Sequence, residues 1–113
     1  MTVYELIKNL ESELAVAEFN EIIQMIDNHY IFSPTAFSNG EMRNKAGENA
    51  GSSKIFYFAK LHELSDRQTL LCFGQYYQEV LADPSGESHK NIRSFMQTGL
   101  AGVEFEGVAL TEK

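Results

Sequence analysis

With a single cysteine, Cys72, the chain has no partner for an intrachain disulfide, and an oxidising compartment would give its fold nothing. Cations are scarce too: nine lysines and arginines stand against sixteen acids, for a formal net charge of −7. A surface of that sign repels nucleic acid and anionic lipid, which disfavours nonspecific binding to either. No hydrophobic run approaches the ~20 apolar residues of a membrane span. The start, Met1-Thr2-Val3-Tyr4-Glu5, lacks the basic opening and unbroken apolar stretch of a secretory signal. Repeats, linkers and low-complexity tracts are also missing. These absences predict a protein of a reducing cytoplasm, with no nucleic-acid or membrane partner.

What is there suits one ordinary domain over residues 1–113, since 43% hydrophobic and 12% aromatic content can build a genuine core but not two. Thr2 and Glu5 make a capping box, and Val3, Leu6, Ile7, Leu10 and Leu14 recur at helical spacing behind it, with fraying expected after Glu11. A second helix is expected from Glu18 to His29 or Tyr30, with Phe19, Ile22, Ile23 and Ile26 on one stripe. Tyr30, Ile31 and Phe32 favour an extended segment. Ser52 or Ser53 is expected to cap a third, central helix through Ile55, Phe56, Phe58, Ala59 and Leu61. Ser65 and Gln68 form a second capping box, opening a helix that runs to Leu81 and ends at the turn Asp83-Pro84-Ser85-Gly86. Gly74 inside it implies close approach of another element. Ser88 is expected to cap a fifth helix, ended by Gly99. Beyond it, Val103, Phe105, Val108 and Leu110 alternate around Glu106-Gly107 as a short hairpin does, packed on the helices or recruiting Tyr30 to Phe32 as a further strand. The predicted class is α+β and mainly α: about five helices, a small C-terminal β-hairpin, and a long ordered polar loop after the second helix.

That loop, Ser33 to Ser53, is the most informative stretch. Loops of such length are either disordered or functional, and this one has anchors in Pro34, in Phe37 and in Asn and Gly positions suited to tight turns. It also lies in the one net-positive part of the chain, because Arg43, Lys45, Lys54 and Lys60 outnumber Glu41 and Glu48 between residues 33 and 62. Asn39, Arg43, Asn44, Asn49 and Ser53 are therefore the candidate ligand-binding residues, with a small anionic ligand or a protein as partner. Asn91 and Arg93 on the fifth helix are positioned to meet this loop.

No catalytic residue is assigned. Gly47 to Lys54 has the glycines and hydroxyls of a phosphate loop, but Lys54 follows Gly51 by three residues where a Walker loop needs a lysine immediately, and no strand precedes it. Cys72, among Leu70, Leu71 and Phe73, would be desolvated and kept from thiolate formation, so it reads as core. Adjacent Tyr76 and Tyr77 must face different ways, leaving one at the core boundary. His62-Glu63 and His89 lack metal-ligand spacing, so neither metal nor cofactor is expected.

Several segments together resemble a known family. They are Phe32 to Gly40, Asn44 to Phe56, Cys72-Phe73-Gly74-Gln75-Tyr76-Tyr77, and Gly102 to Leu110. The chain resembles the HopJ type III effector family, small single-domain proteins of Gram-negative bacteria, over nearly its whole length. The resemblance implies delivery from a bacterium into a plant host cell, and no reaction, cofactor or catalytic residue. Type III secretion signals are typically Ser-rich, poor in acids and unfolded, whereas residues 2 to 14 read as an acidic capped helix. The expectation is thus a HopJ-like protein that acts by binding in the bacterial cytoplasm, or alternatively an anion, carboxylate or enzymatic pocket built from residues 39–53.

Overall fold

The computed structural model describes residues 1–12 and 17–113. Leu14, expected on the first helix, lies outside the described residues. Helix α1 spans Val3–Glu11, with Thr2 Oγ1 accepting from the Glu5 N–H at 3.0 Å and Leu6 and Leu10 turned into the core. Helix α2 spans Phe19–His29 and buries Ile22, Met25 and Ile26. Its N-cap, Glu18, makes no side-chain cap. The free Phe19 N–H is instead bonded by Gln75 Oε1 at 2.9 Å, so a residue distant in sequence closes the helix start.

Helix α3, Ala50–Leu61, is central as its broad apolar surface predicts: Ile55, Phe56, Phe58 and Ala59 are all inaccessible to solvent. Phe56 meets Phe37, Phe73 and Phe95 at ring-centroid distances of 6.1, 5.4 and 5.0 Å. The expected serine cap is corrected. Asn49, in the left-handed conformation, is the N-cap, and Ser52 and Ser53 already lie inside the helix. Asn and Gly are the residues that reach this conformation at least cost.

The single helix expected from Ser65 to Leu81 is two: α4, Asp66–Leu71, opened by the Ser65/Gln68 capping box, and α5, Gln75–Ala82. Gly74 divides them with φ +55° and ψ −128°, a conformation outside any helix. An added Cβ there would lie 2.6 Å from the Phe19 nitrogen, which is the close approach that the glycine implies. The turn at Pro84 and Ser85 follows α5 as expected. Helix α6 spans Lys90–Thr98, with His89 rather than Ser88 at its N-cap and Gly99 after it. With six α-helices among the described residues, the fold is α+β and mainly α.

The strands correct two expectations. Within the supposed long loop, β2 (Phe37–Asn39) and β3 (Met42–Asn44) form a hairpin whose two-residue turn places Gly40 at φ +60°, as such turns require of their first position. Two of its inward positions are asparagines, so the hydrophobic alternation that marks a strand is missing. The C-terminal hairpin does not form: β4 (Val103–Phe105) pairs with β2, and β5 (Leu110–Glu112) pairs with β1 (Tyr30–Phe32), both antiparallel. Recruitment of Tyr30 to Phe32 holds. The two pairings share one unslipped register, continued by Ser33 N–H to Ala109 O and Glu106 N–H to Ala36 O. Residues 30–39 and 103–112 thus form a single antiparallel ribbon, interrupted near Pro34, which has no N–H to give a ladder.

Two consequences can be measured. Cys72 is fully buried, and burial pushes its thiol up to about 12. Native protein at neutral pH should leave a thiol reagent almost unreacted, with full modification on adding denaturant; rapid native labelling would contradict the packing. His62 Nε2 lies 2.8 Å from the Tyr30 hydroxyl. Burial lowers the imidazole's affinity for a proton despite the opposing pull of Glu112. The unfolded chain therefore binds that proton more readily, and the stabilisation held above roughly pH 6.5 is lost as pH falls through the window below it. Urea melts at about pH 7.5 and pH 5 should show a larger loss for the natural chain than for His62→Gln.

Candidate functional site

The five residues expected to share a site divide into two sets. Asn39 and Asn44 point inward from β2 and β3 and are both buried. They meet Asn91 on the first turn of α6. Asn39 Nδ2 donates to the Asn91 carbonyl at 2.8 Å and to its Oδ1 at 3.1 Å. Asn44 and Asn91 exchange amide bonds of 3.3 and 3.1 Å, and Asn49 Nδ2 adds a 2.7 Å bond to Asn44 Oδ1. The Ser94 hydroxyl donates to the Asn39 carbonyl at 2.7 Å. This amide cluster docks the hairpin on α6. Asn91 meets the polar segment as expected, whereas Arg93 turns away to the carbonyls of Asp83, Pro84 and Ser88.

Ser53 is buried within α3 rather than offered to a ligand; its hydroxyl and Asn39 Oδ1 have no hydrogen-bond partner among the described residues. Lys54 is committed elsewhere. It pairs with Asp27 at 2.8 Å and lies 5.0 Å from the centre of the Phe32 ring, holding the start of α3 to α2 and β1. Tyr77 is buried while Tyr76 sits at the boundary between Phe19 and His89, as adjacency on a helix demands.

Arg43 faces the other way. The pairing of Ser38 with both Arg43 and Glu104 sets these three side chains in a row across the outer face of the β3-β2-β4 sheet. There a groove of about 400 Å³ opens, with Arg43, Lys45 and Glu48 on one wall, Glu104 and Glu106 on the other, and Ala36 between; Phe37 and Phe105 border it from positions that alternate to the inner face. Phe37 and Phe105 stack at 5.1 Å. Neither cation has a side-chain ion pair among the described residues, and neither do Glu104 and Glu106. The acidic wall escaped sequence reasoning because it comes from a distant strand. Its one legible signal was the alternation of Val103 and Phe105, which sends the residues between and after them outward.

A second groove of about 380 Å³ lies beside the amide cluster, between Met42, Asn49, Tyr76 and His89. His89 Nε2 is 3.0 Å from Glu79 Oε1. Among the described residues no three His, Cys, Asp or Glu side chains gather as a metal site would need, and no helix is long and apolar enough to cross a membrane.

Comparison with known proteins agrees with this architecture. The family model described as HopJ type III effector protein matches residues 3–110. The chain belongs to the HopJ family. This HopJ chain is similar to a protein of unknown function, VPA0580, whose crystal structure it matches with a TM-score of 0.95 at 43% identity, covering 100% of this chain and 95% of that one. No curated protein matches the sequence.

The amide cluster makes its own prediction. Asn91→Ala would strip buried Asn44 of two hydrogen bonds, so it should lower the urea-derived stability by about 2 kcal/mol, whereas Asn49→Gly, which keeps the left-handed cap and loses one exposed bond, should cost under ~1 kcal/mol. Equal small effects would show that the cluster does not fasten the hairpin.

Proposed function

We propose that this HopJ-family chain acts by binding, and that its contact surface is the groove on the outer face of the β3-β2-β4 sheet. One observation carries the reading: Arg43 and Lys45, unpaired among the described residues, present cationic groups to a cleft of ligand size that also offers apolar surface. A guanidinium with a fork of donors suits a carboxylate, and the nearby ammonium of lysine adds positive potential. The amide cluster supports the same reading from below, because a site on a short hairpin is only as well placed as the hairpin itself. We read the chain as a protein of the bacterial cytoplasm, supported by its single cysteine, to which an oxidising compartment would give nothing. The effector role remains what the family description names.

The test is a titration with a minimal carboxylate, N-acetyl-alanine, followed by backbone amide shifts. Amides of residues 36–38, 43–45 and 104–106 should move together. Arg43→Ala should abolish the response while changing stability by less than about 0.5 kcal/mol, since the side chain is exposed and makes no ion pair among the described residues. A response unaltered in that variant, or a variant that fails to fold, would defeat the proposal.

A further inference from the structure

The groove carries two opposite charges that leave each other alone. Arg43 and Glu104 both flank Ser38, on opposite sides of β2. With neighbouring strands ~4.8 Å apart, their backbones stand roughly 10 Å from each other. A pair of unlike charges this close on one sheet face would ordinarily reach across and join, yet no ion pair closes the gap. Lys45 repeats the positive pole, with Glu48 beside it accepting from the Lys45 N–H at 2.7 Å, and Glu106 repeats the negative one. The cleft is therefore dipolar along a line crossing the strands.

Resting on the carboxylate-binding reading above, we infer that the occupant is a short peptide with free termini, its carboxylate at Arg43 and Lys45 and its ammonium at Glu104 and Glu106. Length decides the class. In a free amino acid the two charges sit on one Cα and cannot touch both walls. An extended chain covers 3.3–3.6 Å per residue, so about three residues span the gap. An interior segment of a folded protein offers no terminal charges at all. A volume of about 400 Å³ is in the range of small-ligand sites. Because the walls are exposed, binding weakens as salt rises.

Trialanine is the probe, titrated into the full chain at low ionic strength and compared with its N-acetylated form, its C-terminal amide, and doubly capped Lys-Ala-Glu. Trialanine should bind at least about tenfold more tightly than any of the three. Glu104→Gln combined with Glu106→Gln, both on exposed side chains, should bring trialanine and its acetylated form to the same affinity. If acetylated and free trialanine bind alike, the ammonium is not recognised and the inference falls while carboxylate binding stands. If doubly capped Lys-Ala-Glu equals trialanine, side-chain charges of a protein partner are recognised rather than termini. If N-acetyl-alanine and every peptide leave the amides unmoved, the inference and the carboxylate reading fall together.

Discussion

Phe56 is the contact that the rest of the molecule is arranged around. It is inaccessible to solvent, and its ring touches one aromatic from each of three parts of the fold: Phe37 on the sheet, Phe73 at the break between α4 and α5, and Phe95 on α6. Stacking with Phe95 is close to parallel, at 13°, whereas Phe37 meets it nearly edge-on at 69°. Each such pair contributes about 0.5–1.5 kcal/mol beyond the area it buries. Against a total stability of about 5–15 kcal/mol for a native domain, three together are a large share. The hub also sets geometry, because α6 and the sheet must approach α3 closely enough for both rings to seat.

That approach brings polar groups of the hairpin and of α6 face to face, and the asparagine cluster is the result. A buried amide left unpaired costs roughly 1–3 kcal/mol, so such positions are favourable only when the bonds are made. Here Asn39, Asn44 and Asn91 satisfy most of one another's needs, and the directionality of their bonds defines one docking of the hairpin where apolar side chains would accept several. Alternation along β3 then decides what the outer face carries. Holding Asn44 inward and Met42 half-buried leaves Arg43 no direction but outward, into the groove.

The helices were legible because apolar spacing and caps are local. Thr2, the Ser65/Gln68 box, the Pro84 turn and Gly99 mark boundaries close to where they occur. Gly74 carried both of its meanings in the sequence, a close approach and a helix break, and only the first could be read without knowing that Phe19 packs there. The strands failed for a different reason: their partners are far apart in sequence, and alternation around Glu106-Gly107 suits a local hairpin as well as one long ribbon. In the site, Asn39, Asn44 and Asn49 do come together, since polar residues concentrated in a fold-back segment must find partners. Their orientation relative to Arg43 depended on which side of a strand each would occupy, and a segment read as loop has no sides.

The ribbon of residues 30–39 with 103–112 also constrains how the chain reaches its native form. Its two halves are separated by roughly 70 residues, and the entropy of closing a flexible loop rises as about (3/2)RT ln n with its length. Contacts of such separation are slow to form. Once α3 and the helices after it have packed around Phe56, however, the intervening chain is no longer a flexible loop, and its ends have already been drawn together. The outer groove, which needs strands from both halves, therefore exists only when that long-range pairing is made.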